Sequence, residues 1–402
     1  MITIETLRNI ILESPKALRK KTILTREKEI PLKSNRVIVI TGVRRCGKST
    51  LLLQLLEGTE KKISLNFEDT RLNDFEFDDF LKLEQIAVSE KITTFVFDEI
   101  QNIPGWEKFV RSVHDKGYYV YVTGSNASML SRELGTRLTG RHLQTELFPF
   151  SYNEYLSFLK ENGGEESFKK FLFGGGFPEV LKSKDDEYLR SLLRDIVIRD
   201  IAVRRNIKNE HIILSLAMHL ISNVGKEISY NNISRLIGIK SVRSTIDYCD
   251  YLKESYLFDF VPRFSFSIKQ QLINPKKIYA IDTGMANANS LSFSEDYGRM
   301  LENSVFMHLR RFTKDILYYK DETSECDFLI RKNERIVYAV QVCWHLTEDN
   351  LKREIAGLTN AMKTTNCQKG VIITFNQDDS FEGIIATPAW KWMKEGFNLE
   401  NI

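Results

Sequence analysis

Apolar positions in the first part of the chain fall into two alternating patterns. Residues 4–14 carry Ile4, Leu7, Ile10 and Ile11 at helical spacing, the stripe of an amphipathic helix. Arg36–Thr41 is a short apolar run rich in Val and Ile, which reads as a buried strand. It passes through a glycine-bearing turn into the apolar helix Leu51–Leu56. Lys62–Phe67, Ile92–Phe97 and Tyr118–Thr123 repeat the strand pattern; Ile92–Phe97 ends in two acids and Tyr118–Thr123 in Gly124–Ser125. Strands that alternate with helices predict a parallel sheet in a three-layer α/β fold.

The character changes after Pro149. Residues 151–205 read as mostly helical, interrupted by Gly174–Gly175–Gly176 and Pro178. Residues 209–262 hold three helical segments and a β-like end, Tyr256–Val261. From residue 290 onward the pattern predicts a helix around Glu302 and strands near Leu317, Phe328 and Val340. A charged helix at Glu348–Met362 and a strand at Gly370–Thr374 come next, a second α/β unit.

A chain of 402 residues fits two to four domains. Its 42% hydrophobic and 28% charged residues are globular values, which exclude a disordered or membrane-embedded chain. No apolar run approaches the roughly 20 residues of a membrane span. Glu5, Arg8 and Glu13 break the N-terminal stretch, so a signal peptide is not expected, and a cytoplasmic address follows by elimination. Cys46, Cys249, Cys326, Cys343 and Cys367 are scattered without pairing, which argues against a disulfide framework or a zinc module. The net charge of +3 is too small to imply nucleic acid by itself. Local basic clusters at Arg19–Lys21, Arg204–Arg205 and Arg310–Arg311 read equally well as solvated faces.

The chemistry concentrates between the first two strands. Gly42-Val43-Arg44-Arg45-Cys46-Gly47-Lys48-Ser49 fits G-x-x-x-x-G-K-[ST] in full, with Thr50 continuing into the helix. Glycines let the backbone curl so that its N–H groups point at phosphate oxygens, and the helix N-terminus faces the same anion. Lys48 is expected to reach the β- and γ-phosphates of ATP and Ser49 to ligate Mg²⁺. The strand Thr93–Phe97 delivers Asp98 to the metal shell and Glu99 to the attacking water. Either Ser125 or Asn126 fits a sensor of the γ-phosphate, and the sequence does not choose between them. Arg137 and Arg141 come next, and Arg141 is the candidate arginine finger, in cis or on a neighbouring subunit. Cys46 lies where a helix N-terminus favours thiolate, so alkylation would block nucleotide binding; the plainer reading is a tolerated small residue.

Taken together, these residues resemble a family of AAA+-like ATPases of bacteria and archaea with a nuclease-like C-terminal domain. The resemblance rests on Thr41–Leu53, Phe97–Asn102, Thr123–Ser125 with Gly140–Arg141, Leu147–Tyr155, Gly174–Val180, Tyr279–Met285 and Leu301–Val305, and spans nearly the whole chain. It implies a P-loop NTPase parallel sheet core at 1–150 with an N-terminal helix, and a helical lid at 151–208. A winged-helix module with connector at 209–289 and a PD-(D/E)xK nuclease-like α/β domain at 290–402 would complete the chain.

In the implied winged helix, Asn231–Ser255 supplies helix, Gly238 turn and second helix, with Lys240, Arg243, Ser241 and Ser244 turned toward DNA and Ile246, Leu252 and Tyr256 toward the core. Asp247, Asp250 and Glu254 oppose phosphate. In the implied nuclease fold, Glu302 and Asp327 take the first two acid positions, and Gln341-Val342-Cys343 stands where the family has Glu- or Gln-x-Lys. Cys343 cannot replace an ammonium; Lys320 and Lys332 are the substitutes in reach of the sequence. The expected site is therefore degenerate. The leading expectation is an ATPase, with ATP and Mg²⁺ as cofactors, that couples nucleotide state to engagement of double-stranded DNA or a protein partner. An ATP-gated metal-dependent nuclease and a nucleotide-sensing switch with negligible turnover are the alternatives. Monomer and oligomer are both open.

Overall fold

The computed structural model describes residues 1–13, 24–31, 34–126, 140–183, 185–290, 296–381 and 383–395. The chain divides into two compact units. One comprises Met1–Phe148 with Glu254–Tyr256, the other Pro149–Lys253 with Leu257–Ile402. Arg19–Lys21 and Arg137 lie outside the described residues.

The first unit is built on five parallel strands: β1 (Val37–Thr41), β2 (Lys62–Asn66), β3 (Thr94–Asp98), β4 (Tyr119–Gly124) and β5 (His142–Glu146), in the order β2-β3-β4-β1-β5. Four of these follow the apolar runs of the sequence. The fifth, His-Leu-Gln-Thr-Glu, escapes that pattern because it is an edge strand with only Thr145 fully buried. The helices are α1 (Ile4–Glu13), α2 (Lys48–Leu55), α3 (Asp79–Ser89) and α4 (Trp106–Asp115). Every residue of β1 and β3 is buried, as befits strands covered on both faces. Phenylalanines dominate the core beside β3: Phe80 stacks on Phe109 at 4.4 Å and meets Phe75 edge-on at 4.9 Å. The chain leaving β1 crosses two strands to reach β2, whereas the chain leaving β4 crosses β1 to reach β5. The carboxyl end of β1 is thus a switch point, where such sheets leave a crevice for ligands.

The second unit opens with helices Tyr152–Leu159, Glu165–Gly174, Pro178–Ser183 and Asp186–Asp195, the last continued by a π-helical stretch, Ile196–Val203. Ser151 and Glu154 form a reciprocal capping box at the first of them. Two of the three consecutive glycines are demanded by close approach. A Cβ on Gly176 would lie 2.3 Å from the Phe150 carbonyl oxygen, and one on Gly175 2.1 Å from Asp282 Oδ1. Asp282 in turn accepts from the Gly176 N–H (2.7 Å) and caps helix Thr283–Asn289 through Met285 N–H (2.9 Å). Burial pushes its carboxyl up to about 6 against those hydrogen bonds.

Helices Glu210–Ile221, Tyr230–Ile237 and Val242–Glu254 accompany a small antiparallel sheet of β6 (Glu227–Ile228), β7 (Phe258–Pro262) and β8 (Lys276–Ala280), ordered β6-β8-β7. The buried face of Val242–Glu254 is Thr245, Cys249 and Leu252. Ile246 is only half-buried, and Tyr256 belongs to the first unit, where its hydroxyl donates to Thr41 Oγ1 at 2.6 Å. Ile246 thus departs from the expected core face, whereas Tyr256 is buried, as expected, but in the first unit. The remaining sheet contains β9 (Ile316–Lys320), β10 (Glu325–Lys332), β11 (Arg335–Cys343), β12 (Gly370–Thr374), β13 (Asp379–Phe381) and β14 (Ile384–Pro388). Their order is β13-β14-β12-β11-β10-β9, with β11-β12-β14 parallel and the other pairs antiparallel. Helix Glu348–Thr365 covers a core of Cys326, Leu329, Ala339, Leu358 and Ile372. Among the described residues no helix is long and apolar enough to cross a membrane.

Candidate functional site: the phosphate loop and its acid pair

The loop after β1 turns sharply against its own sheet. A Cβ on Gly42 would lie 2.0 Å from the Leu147 carbonyl oxygen, so only glycine lets the backbone pass there. Gly47, in the left-handed region, begins α2. Arg26 braces the loop from behind: its guanidinium donates to Cys46 O at 3.0 Å and to Phe148 O at 2.7 Å. Sequence reasoning missed Arg26 because no spacing links it to the motif it supports.

Lys48 is buried and its ammonium donates to the carbonyls of Gly42 (3.1 Å) and Val43 (3.2 Å). It also pairs with Glu99 Oε1 at 3.4 Å. Burial works against its charge, but the Glu99 carboxylate and its neighbours outweigh burial and hold it above its ordinary value. Glu99 shows the reciprocal effect. Burial would raise it, yet Lys48, then Gln101, Ser125 and Arg44, hold it below the usual carboxylate range. Gln101 Nε2 donates to Glu99 Oε2 at 2.5 Å. Glu99 itself has φ 52°, a strained left-handed conformation of the kind that concentrates at functional sites.

Asp98 ends β3 beside the Ser49 hydroxyl, to which it is hydrogen-bonded. The Thr123 hydroxyl donates to Asp98 Oδ1 and accepts from the Glu99 N–H at 3.1 Å. Burial and then the neighbouring Glu99 raise the Asp98 carboxyl. A carboxylate held in that way, next to a hydroxyl, is stabilised by a cation, so the donor set fits Mg²⁺. Ser125 and Asn126 follow β4 directly and are both buried. A cleft of about 560 Å³ opens beside Arg45, Ser49, Thr50, Asn66 and Asp98. Arg44 pairs with Glu68 at 2.7 Å.

Two expected features are placed differently. Cys46 is fully buried, its thiol turned to the Leu147 carbonyl at 3.4 Å, and burial pushes its pKa up rather than down. The helix N-terminus does not make it a thiolate, because tertiary burial dominates. Arg141 is not brought to the phosphate loop of its own chain. Its carbonyl accepts from the Val37 N–H at 2.9 Å, at the amino end of β1, and its guanidinium pairs with Asp115 on α4. The rise of β1 separates that end from the loop by about 13 Å.

Within the second unit, Lys240 and Arg243 are exposed at the start of helix Val242–Glu254, with Arg243 paired to Asp247 at 3.2 Å. Ser241 and Ser244 instead hydrogen-bond each other there, at 2.9 Å. Arg205 lies over the Tyr251 ring at 4.5 Å and Arg310 pairs with Asp259 at 3.1 Å, so both serve packing. Glu302 and Asp327 do come together, but around Lys277 of β8, whose ammonium is 3.0 Å from the first and 2.9 Å from the second. Neither Lys320 nor Lys332 takes that place. Gln341 turns its amide to Glu354 Oε2 at 2.6 Å, and the Cys343 thiol faces the His345 carbonyl, its pKa raised by burial to about 11.

Residues 34–156 match the family described as AAA domain, and residues 165–296 a family described as a domain of unknown function. An uncharacterised protein of Methanocaldococcus jannaschii is 36% identical, across 95% of this chain and 94% of its own. The chain belongs to the same family as that archaeal protein. An uncharacterised protein of Haemophilus influenzae is 29% identical across 88% of this chain and 93% of its own. Among solved structures, a Walker-type ATPase of Pyrococcus abyssi covers 66% of this chain and 98% of its own at 15% identity, with a TM-score of 0.44. The last likeness is too weak to add to the chain's own geometry. The AAA domain match falls on the five-stranded unit and encloses the phosphate loop and both acids.

Proposed function

We propose that this protein is a Mg²⁺-dependent ATPase whose nucleotide state governs engagement of double-stranded DNA or of a protein partner. The observation that carries this reading is the convergence of Lys48, Ser49, Asp98 and Glu99 at the carboxyl ends of β1 and β3. ATP phosphates are offered the loop N–H groups, the start of α2 and the Lys48 ammonium. Ser49 and Asp98 would hold Mg²⁺, which supplies charge neutralisation across the β- and γ-phosphates when bound. Glu99 orients and polarises water, and the Thr123 hydroxyl holds the Asp98 carboxylate and the Glu99 main chain. Ser125 or Asn126 would sense the γ-phosphate.

Engagement of DNA rests on a helix-turn-helix, Tyr230–Ile237 and Val242–Glu254, beside a three-stranded antiparallel sheet, the parts of a winged helix. Its exposed basic residues, Lys240 and Arg243, are few, which keeps a protein partner as the other arm. The deciding experiment is steady-state ATP hydrolysis by the full chain with and without double-stranded DNA. Turnover that DNA raises, and that Lys240→Ala with Arg243→Ala no longer lets DNA raise, supports DNA. Turnover indifferent to DNA moves the partner to protein. A second reading, a nucleotide-sensing switch, is favoured by one feature: Lys48 and Gln101 both engage the Glu99 carboxylate, the group that would polarise water. ATP binding without any turnover would select it.

A further inference from the structure

The nuclease-like resemblance implies a divalent cation held by Glu302 and Asp327, and the residues present do not fit one. Lys277, on β8, is 4% exposed at its side chain and sends its ammonium into the middle of three carboxylates. Its Nζ is 3.0 Å from Glu302 Oε1, 2.7 Å from Glu325 Oε1 and 2.9 Å from Asp327 Oδ1. An ammonium has three donors, so this one is fully used.

Two of the three carboxylates, Asp327 and Glu325, are committed through their second oxygen as well. The Val342 N–H donates to Asp327 Oδ2 at 2.9 Å, while the Tyr279 hydroxyl, at 2.6 Å, shares Glu302 Oε1 with the Lys277 ammonium. Lys320 lies 3.2 Å from Glu325 Oε2. A magnesium ion needs near-octahedral oxygens at about 2.0–2.1 Å, several of them water. Among the described residues no group of three or more His, Cys, Asp or Glu is arranged to hold a metal ion. Gln341, the third position of the implied motif, donates its amide N–H to Glu354, and its Oε1 is buried without a hydrogen-bond partner among the described residues.

We infer that the Lys277 ammonium stands where a nuclease-like fold would hold its divalent cation, so that Glu302, Glu325 and Asp327 form a metal-independent ion cluster. The cluster ties β8 to β10 and to helix Tyr297–Arg310. It gives this part of the chain a structural role in place of metal-dependent strand cleavage. Removing the ammonium would leave three buried carboxylates without their central counter-charge. That state is strongly unfavourable, and a divalent ion is the simplest remedy.

The test is Mn²⁺ binding to the nucleotide-free full chain, monitored by electron paramagnetic resonance of the free ion. Wild type and Asp327→Asn are expected to bind the same amount of Mn²⁺. Lys277→Ala is expected to gain one further Mn²⁺ per chain, bound at least tenfold tighter than the same three carboxylates bind it in the wild type by the removed charge repulsion, and adding Asp327→Asn should abolish the gain. Because the phosphate-loop residues are common to all these proteins, their own Mn²⁺ cancels in the differences. Mn²⁺ lost from the wild type on Asp327→Asn overturns the inference, and so does a folded Lys277→Ala that gains none. Should Lys277→Ala require metal to fold, recovery in Mn²⁺ supports the inference. Failure to recover, with Lys277→Met folding and binding no additional Mn²⁺, overturns it.

Discussion

Replacing Glu99 by Gln separates what the acid does for the buried Lys48 ammonium from what it does for turnover. Glu99 Oε1 lies 3.4 Å from the Lys48 ammonium. At an effective dielectric near 20 that attraction is about 5 kcal/mol. Removing one partner of a buried pair typically costs about 3–5 kcal/mol. Here the Gly42 and Val43 carbonyls continue to occupy two of the ammonium's three donors, which moves the cost to about 3 kcal/mol. Bound ATP relieves that cost, since its phosphates take Lys48 over. The nucleotide therefore gains up to about 3 kcal/mol of affinity in the variant, a Kd lower by about 10- to 100-fold. Turnover moves the other way, by about 10²- to 10⁴-fold, as the water loses its base. Fluorescent-nucleotide titration, phosphate release and urea unfolding of the empty protein read the three effects. A folded Glu99→Gln variant that binds ATP more weakly, or that turns over at the wild-type rate, refutes the reasoning.

Two further outcomes come from named environments. The Cys46 thiol, buried and turned to the Leu147 carbonyl, should react with a thiol reagent at least ~10-fold more slowly than in the unfolded chain, read by mass spectrometry of the modified peptide. Rapid, ATP-protected modification in the folded chain would restore the thiolate expectation. Asp282 is raised from 3.8 to about 6, so its contribution to stability is fully present below about pH 4 and is lost as pH rises through about 6. Relative to Asp282→Asn, the wild type should lose about 2 kcal/mol between pH 4 and 7 by urea unfolding, and parallel profiles would remove Asp282 as the cause.

What the sequence made legible was local. The phosphate loop is eight contiguous positions, and its strand and helix are its immediate neighbours, so spacing alone locates Lys48 and Ser49. Asp98 and Glu99 could be found because a buried strand ends on them. Arg26 was hidden because it braces the loop from 20 residues upstream through backbone carbonyls, which any residue supplies. Lys277 was hidden for a similar reason. It lies 25 residues before Glu302 and 50 before Asp327, in a strand whose Lys-Lys start reads as solvent-facing. The sequence left two readings of Cys46 because its neighbours there are electropositive, while in space its thiol is buried against a carbonyl. Helix Val242–Glu254 was found, but Thr245 and Cys249 rather than Ile246 face inward, since a polar Thr can be buried when its hydroxyl reaches its own helix, here Ser241 O at 3.3 Å.

The central claim is that the loop at Gly42–Thr50 binds ATP through Lys48. Titration of the full chain with a fluorescent ATP analogue in Mg²⁺, beside Lys48→Ala, tests it directly. The account predicts saturable binding of one nucleotide per chain, weakened by at least ~100-fold in the variant, about the loss of one buried charge-assisted contact. Equal binding by both proteins, or none by the wild type, would contradict it.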